Sequence, residues 1–231
     1  MSKLKAAVVL CGCGRGDGSE IHESVSVLIA LSRAGASYRC FAPDQPLADV
    51  INHATGEAMR ESRNAMVEAA RISRGEISPL TSLHARDFDA LIFPGGFGAA
   101  KNLITYAHDG EQAKVHPEVT RVMREFHASG KPIGLCCIAP MIAAKVLGTH
   151  AGGPGVRVTL GADEACAKVV HAWGSTCETA PVEHALTDER QRVVTSPAYM
   201  YADATPAQVF DGISAMVVKV LELAAKPGAS R

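Results

Sequence analysis

Cys136 and Cys137 stand side by side where an apolar run, 132–135, gives way to Ile138, Ala139, Pro140 and a helix-like stretch. A strand that hands over to a helix through a sharp turn lifts one side chain above the sheet, the layout of a nucleophile elbow. A thiol at that apex lies before a helix N-terminus, whose N–H groups and dipole favour thiolate, the reactive form. Only one of the two cysteines can take the apex. Two residues past Cys136 stands the bulky Ile138, whereas the same place after Cys137 is held by Ala139. Cys137 is therefore expected at the apex, with Cys136 closing the strand and pointing into the core. The competing reading, two small thiols filling space, describes what free cysteines commonly do.

Two further stretches carry groups that such a thiol could use. The loop Gly95, Gly96, Phe97, Gly98 follows the apolar 91–93. Glycines there permit close approach and leave N–H groups free for an oxyanion, although an ordinary strand-to-helix turn reads the same way. The segment GCGRGDGSEIHES, 12–24, suggests a nucleotide loop, but G-x-G-x-x-G fails at Asp17 and Ser19 and no G-K-[ST] follows. Asp17, Glu20 and Glu23 would repel phosphate, and a carboxyl facing the elbow suits a proton carrier instead. Asp17 and Glu20 fit a D-x-x-E capping box, with Ser19 an equally good cap. That leaves Glu23, one turn beyond Glu20 on the same helix face, freer to face inward. His22 is its local rival as a proton carrier.

The elements that must hold these groups alternate. Strands are expected at 6–10, 38–41, 91–93, 132–135, 157–160 and 193–194. Helices are expected at 20–33, 61–74, 117–128, 164–173 and 206–225, with a loop at 44–60 and a tail at 226–231. This βαβα order implies a doubly wound parallel α/β sheet with helices on both faces. Right-handed crossovers then set the loops after the strands on one rim, where ligands of such folds sit. One domain, 1–225, with one site is the expectation.

Composition narrows the function classes. The chain has 231 residues, 47% hydrophobic and 20% charged, with a net charge of −1. No basic tract points to nucleic acid or an anionic membrane as partner. The apolar run after Lys3 and Lys5 is too short for a signal-peptide core. No run approaches the roughly 18 to 20 apolar residues of a membrane span. Together these point to the cytosol, where the seven cysteines would be reduced thiols. No C-x₂-C pair suggests a structural metal, and no cofactor motif is present.

Several stretches taken together resemble one family: CGCGRGDGSEIHE (11–23), FAPD (41–44), VINHATGEAM (50–59), EAARISRGEI (68–77), FPGGFGAAKNL (93–103), CIAP (137–140) and VVTSPAYM (193–200). They resemble the ElbB branch of the PfpI-like superfamily, whose members share the class I glutamine amidotransferase fold, over nearly the whole chain. The resemblance implies a flavodoxin-like sheet, Cys137 as the reactive cysteine and Glu23 as the helix-one glutamate bonded to it. It implies the N–H groups of Gly96 and Ile138 as oxyanion donors, and a homodimer. The sequence departs from the pattern in two places. TSPAYM lacks the histidine and glutamate of true amidotransferases, so glutamine hydrolysis is not expected, and Ile138 stands where many relatives carry a histidine. The activity implied is a cofactor-independent glyoxalase acting on a small dicarbonyl, glyoxal to glycolate or methylglyoxal to lactate. The alternatives are a redox-sensing or regulatory protein with an oxidisable Cys137 and, behind it, a hydrolase or amidase.

Overall fold

The structure, a computed structural model, describes residues 3–226. The chain runs through β1 (Lys5–Val9), α1 (Ile21–Arg33), β2 (Ser37–Ala42), α2 (Ala65–Ala69), β3 (Ile77–Pro79), β4 (Ala90–Phe93), α3 (Tyr106–Asp109) and α4 (Pro117–Ala128). It continues through β5 (Ile133–Cys136), α5 (Pro140–Val146), β6 (Arg157–Val158), α6 (Glu164–Ala172), β7 (Thr176–Cys177), β8 (Leu186–Asp188), β9 (Val193–Ser196) and α7 (Pro206–Ala224).

Seven strands form one sheet in the order β3-β2-β1-β4-β5-β9-β8. All pairs are parallel except β8 with β9. Four of the inner strands, β1, β4, β5 and β9, are buried on both faces apart from Lys5, as parallel sheets covered by helices require, and only β9 carries polar residues there, Thr195 and Ser196. Side chains of α1 and α7 cover one face, and those of α4, α5 and α6 lie with the core on the other. Strand β1 pairs β2 on one side and β4 on the other, so the winding reverses there and a crevice opens at the strand ends.

The expected α/β architecture is the one observed, with differences at its margins. Helix α4 has the expected bounds and buries Val119, Val122, Met123 and Phe126 on one stripe. The helix expected at 61–74 contracts to Ala65–Ala69, because Asn64 caps it and Arg63 is held in extended pairing, its carbonyl accepting Leu47 N–H at 2.8 Å. The strand expected at 157–160 keeps only Arg157–Val158, and it pairs with β7 in a separate two-stranded sheet. The tail expected at 226–231 lies, except for Lys226, outside the described residues. No helix among the described residues is long and apolar enough to cross a membrane.

Candidate functional site

The loops after β1, β4, β5 and β9 meet at the crevice. Cys136 ends β5, and the Cys137 N–H still pairs with the Ser196 carbonyl at 2.9 Å, so the sheet ladder reaches the second cysteine. There the backbone breaks away. Cys137 holds φ at 57°, a left-handed conformation that costs a non-glycine residue roughly 1 to 2 kcal/mol. The turn closes through Ala139 N–H to the Cys136 carbonyl at 3.0 Å, and α5 starts at Pro140. Ala139 is fully buried, which explains why a small residue follows the apex at that distance.

Glu23 comes from the first turn of α1 and is fully buried. The cap of that helix is Glu20 itself, whose carboxylate accepts the Glu23 N–H at 2.8 Å. The capping box read from Asp17 is thus corrected. Asp17 is spent elsewhere, accepting Ile51 N–H at 2.8 Å, and Ser19 accepts the N–H of Cys11 at 2.9 Å. The Glu23 carboxyl receives Gly95 N–H at 3.0 Å on one oxygen and Tyr199 N–H at 3.4 Å on the other. Both thiols face it. Cys136 Sγ lies 3.9 Å from Glu23 Oε2, and the Cys137 thiol sits beside the same carboxyl, close enough for each group to shift the other's titration. Cys136 is therefore both a core residue under α1 and α7 and part of the floor of the site.

The glycine loop is stapled to the turn after β1. Glu20 N–H donates to the Gly95 carbonyl at 2.9 Å, Phe97 N–H to Arg15 at 2.8 Å and Gly98 N–H to Gly18 at 3.1 Å. Asn102 ties both loops by donating to the carbonyls of Asp17 and Gly98. A Cβ on Gly95 would lie 2.5 Å from Cβ of Cys137, so only glycine lets the loop close over the thiol. Gly96 holds φ at 105° and its N–H faces the Cys137 sulfur. The N–H of Ile138 donates to no group among the described residues. Cys137, Glu23, Gly96 and Ile138 are thus gathered at one point.

Electrostatics depart from expectation. Burial first, then the neighbouring Glu20 charge, pushes the Glu23 carboxyl up to about 8, against the opposing hydrogen bonds from Cys137, Tyr199 and Gly95. Burial and then the Glu23 charge hold the Cys137 thiol well above its ordinary range, with Gly96 N–H pulling the other way. Burial and Glu23 raise Cys136 likewise. The expected depression by a helix N-terminus is corrected. Helix α5 has seven residues, begins three positions past Cys137, and opens on a proline without an N–H. At rest the Glu23 carboxyl and both thiols are held toward their protonated forms.

Tyr199 was missed by sequence reading. The loop after β9 turns at Ala198, with φ at 46°, and thereby delivers Tyr199 to Glu23. His22, the rival to Glu23, does not bond the thiol; its Nδ1 meets the Tyr199 hydroxyl at 2.7 Å. The one available signal was the register of TSPAYM immediately after a strand on the crevice rim. Among the described residues no group of three or more His, Cys, Asp and Glu side chains could hold a metal ion. Two surface grooves lie away from this chemistry, along α1 and the β2 edge beside Tyr38 and Arg74.

No family model matches the chain. The human glutamine amidotransferase-like class 1 domain-containing protein 3, mitochondrial, is 49% identical over 96% of this chain and 84% of its own length. The zebrafish ES1 protein, mitochondrial, is 37% identical over 95% of this chain and 86% of its own. A solved structure from Ehrlichia chaffeensis, described as an isoprenoid biosynthesis protein with amidotransferase-like domain, is 34% identical with a TM-score of 0.87, covering 95% of this chain and 99% of that one. Drosophila melanogaster DJ-1beta, at 16% identity and a TM-score of 0.51 over 97% of both chains, shares the fold. These relatives overturn the cytosolic expectation, since the human, rat and zebrafish proteins are all mitochondrial by name. That expectation rested on signals for secretion and membrane insertion, and neither bears on organelle import, which receptors read from segments of another kind. Kinship at this level over nearly the whole length is decisive: the chain belongs to the ES1 family of glutamine amidotransferase-like class 1 domain proteins.

Proposed function

We propose that this protein is a cofactor-independent glyoxalase that converts a small 1,2-dicarbonyl to a 2-hydroxy acid, in the mitochondrial setting to which its relatives' names point. The observation that carries the reading is a buried carboxyl, Glu23, set beside the thiol of Cys137 and oriented by the N–H groups of Gly95 and Tyr199. In its ionised form Glu23 takes the thiol proton as sulfur adds to one aldehyde carbon. The new oxygen, held by the N–H groups of Gly96 and Ile138, receives that proton and a hemithioacetal results. Glu23 next removes the carbon-bound proton of that centre, and the electron pair moves toward the second carbonyl. Returned to the second carbon, the proton leaves a thioester. Water cleaves it, releasing glycolate from glyoxal or lactate from methylglyoxal and restoring the thiol.

Redox sensing is the weaker reading, because peroxide reactivity needs an accessible thiolate. Cys137 is only 8% exposed and its thiol is held well above the ordinary range. The deciding experiment is glyoxal turnover by purified protein beside its Cys137→Ala variant. Saturable turnover lost in the variant supports the reading; stoichiometric peroxide consumption without turnover replaces it with the redox one.

A further inference from the structure

The side chains of His22 and Tyr199 are left unused by the mechanism above. Their hydrogen bond, His22 Nδ1 to Tyr199 hydroxyl at 2.7 Å, joins two rings whose centroids are 5.9 Å apart. Both residues are tied to the proton carrier. His22 precedes Glu23 on α1, and the Tyr199 N–H donates to Glu23 Oε1. Ala198 is fully buried yet holds φ at 46°, a strain that persists only where the surroundings over-determine it. Glu23 is buried, Tyr199 half-buried and His22 exposed, so the pair reaches from the carboxyl outward to solvent.

We propose that the Tyr199 hydroxyl is the group that meets the second carbonyl oxygen of the dicarbonyl, with His22 as its positioning partner. The proposal rests on the glyoxalase reading and adds how the site would select 1,2-dicarbonyls over simple aldehydes. With Nδ1–H donating to the phenol oxygen, the Tyr199 O–H is free to face substrate. When Glu23 takes the carbon-bound proton of the hemithioacetal, the electron pair flows into the second carbonyl. Its oxygen takes the Tyr199 proton, and the phenolate left behind is held by Nδ1–H of His22. Glu23 then returns its proton to the second carbon. The first oxygen gives up its own proton to the Tyr199 phenolate, and the thioester remains. No proton is gained or lost in the sum. A monoaldehyde lacks the second oxygen and makes no use of the pair.

The test is Tyr199→Phe, which keeps the ring and the backbone N–H to Glu23 and removes only the hydroxyl. Turnover of glyoxal should fall roughly 10²-fold, in kcat more than in KM. A second readout does not need turnover: protection of Cys137 from slow alkylation. Glyoxal should protect the Phe variant less than the wild type, while acetaldehyde protects both equally. His22→Asn, which sets an amide N–H near the place of Nδ1, should recover part of what His22→Ala loses. The proposal is overturned if Tyr199→Phe keeps kcat within about twofold and keeps full glyoxal protection while Cys137→Ala is inactive. Wild-type protein that neither turns glyoxal over nor is protected by it would bring down the glyoxalase reading, and this proposal with it.

Discussion

Glu23 is asked to ionise where its surroundings discourage charge, and that tension sets what single substitutions should do. Glu23→Gln keeps a hydrogen-bonding side chain of the same length but cannot carry a proton. It should cost turnover by roughly 10² to 10⁴, the usual range for a general acid–base group. Near-normal kcat with Cys137 still essential would place the proton carrier elsewhere. Because the reactive form needs the carboxylate, and burial lifts that group to about 8, kcat/KM should rise with pH on a limb centred near there. A limb near the ordinary carboxylate range would show instead that Glu23 ionises freely. Cys136→Ala should retain most of the turnover, since that thiol touches Glu23 but ends the strand below the apex. At this scale the register of the two cysteines was legible, because Ile138 and Ala139 differ so much in bulk. The direction of the thiol shift was not, because it depends on burial by α1 and the glycine loop, elements distant in sequence.

Among the elements, the glycine loop and the turn after β1 behave as one body. Gly96→Ala would have to hold φ at 105° with its Cβ 2.4 Å from the Gly18 carbonyl oxygen and 2.5 Å from Glu20 N. Strain and contact together should cost on the order of 2 kcal/mol, a fall in Tm of roughly 4 to 8 °C. Activity should fall further than stability explains, because the displaced loop carries the N–H that faces the sulfur. Unchanged Tm and turnover would mean that the two loops are not in contact in solution. The inner strands and α1, α4 and α7 could be read from apolar runs, caps and stripes. The edge strands β3 and β8 could not, being three residues long, partly exposed and without periodicity. The return of the β9 loop to α1 escaped for a related reason: a contact between Tyr199 and Glu23 leaves no pattern in either segment.

For the molecule as a whole, the same carboxyl makes stability depend on pH. In the unfolded chain a glutamate titrates near 4.5, whereas in the fold Glu23 does so at about 8. Between those values the native state binds one more proton than the unfolded state. Its contribution is therefore complete below about 4.5 and is lost as pH rises through about 8. Denaturant midpoints should fall across that window at a slope on the order of 1 kcal/mol per pH unit from this group. Glu23→Gln should remove that slope and be the more stable protein above pH 8, measured by urea unfolding at several pH values. A variant that keeps the wild-type slope would assign the dependence to other groups.

The two rims of the sheet carry a consequence for self-association. At one, β3 ends in Pro79, which has no N–H to offer a further strand. At the other, β8 is three residues long, and Arg157 covers it by donating its N–H to the Asp188 carboxylate at 2.9 Å and its guanidinium to the Thr187 carbonyl at 2.6 Å. Neither border offers a long unpaired run, so both are poor templates for a further strand. Short, partly covered edges of this kind guard the folded chain against edge-to-edge pairing.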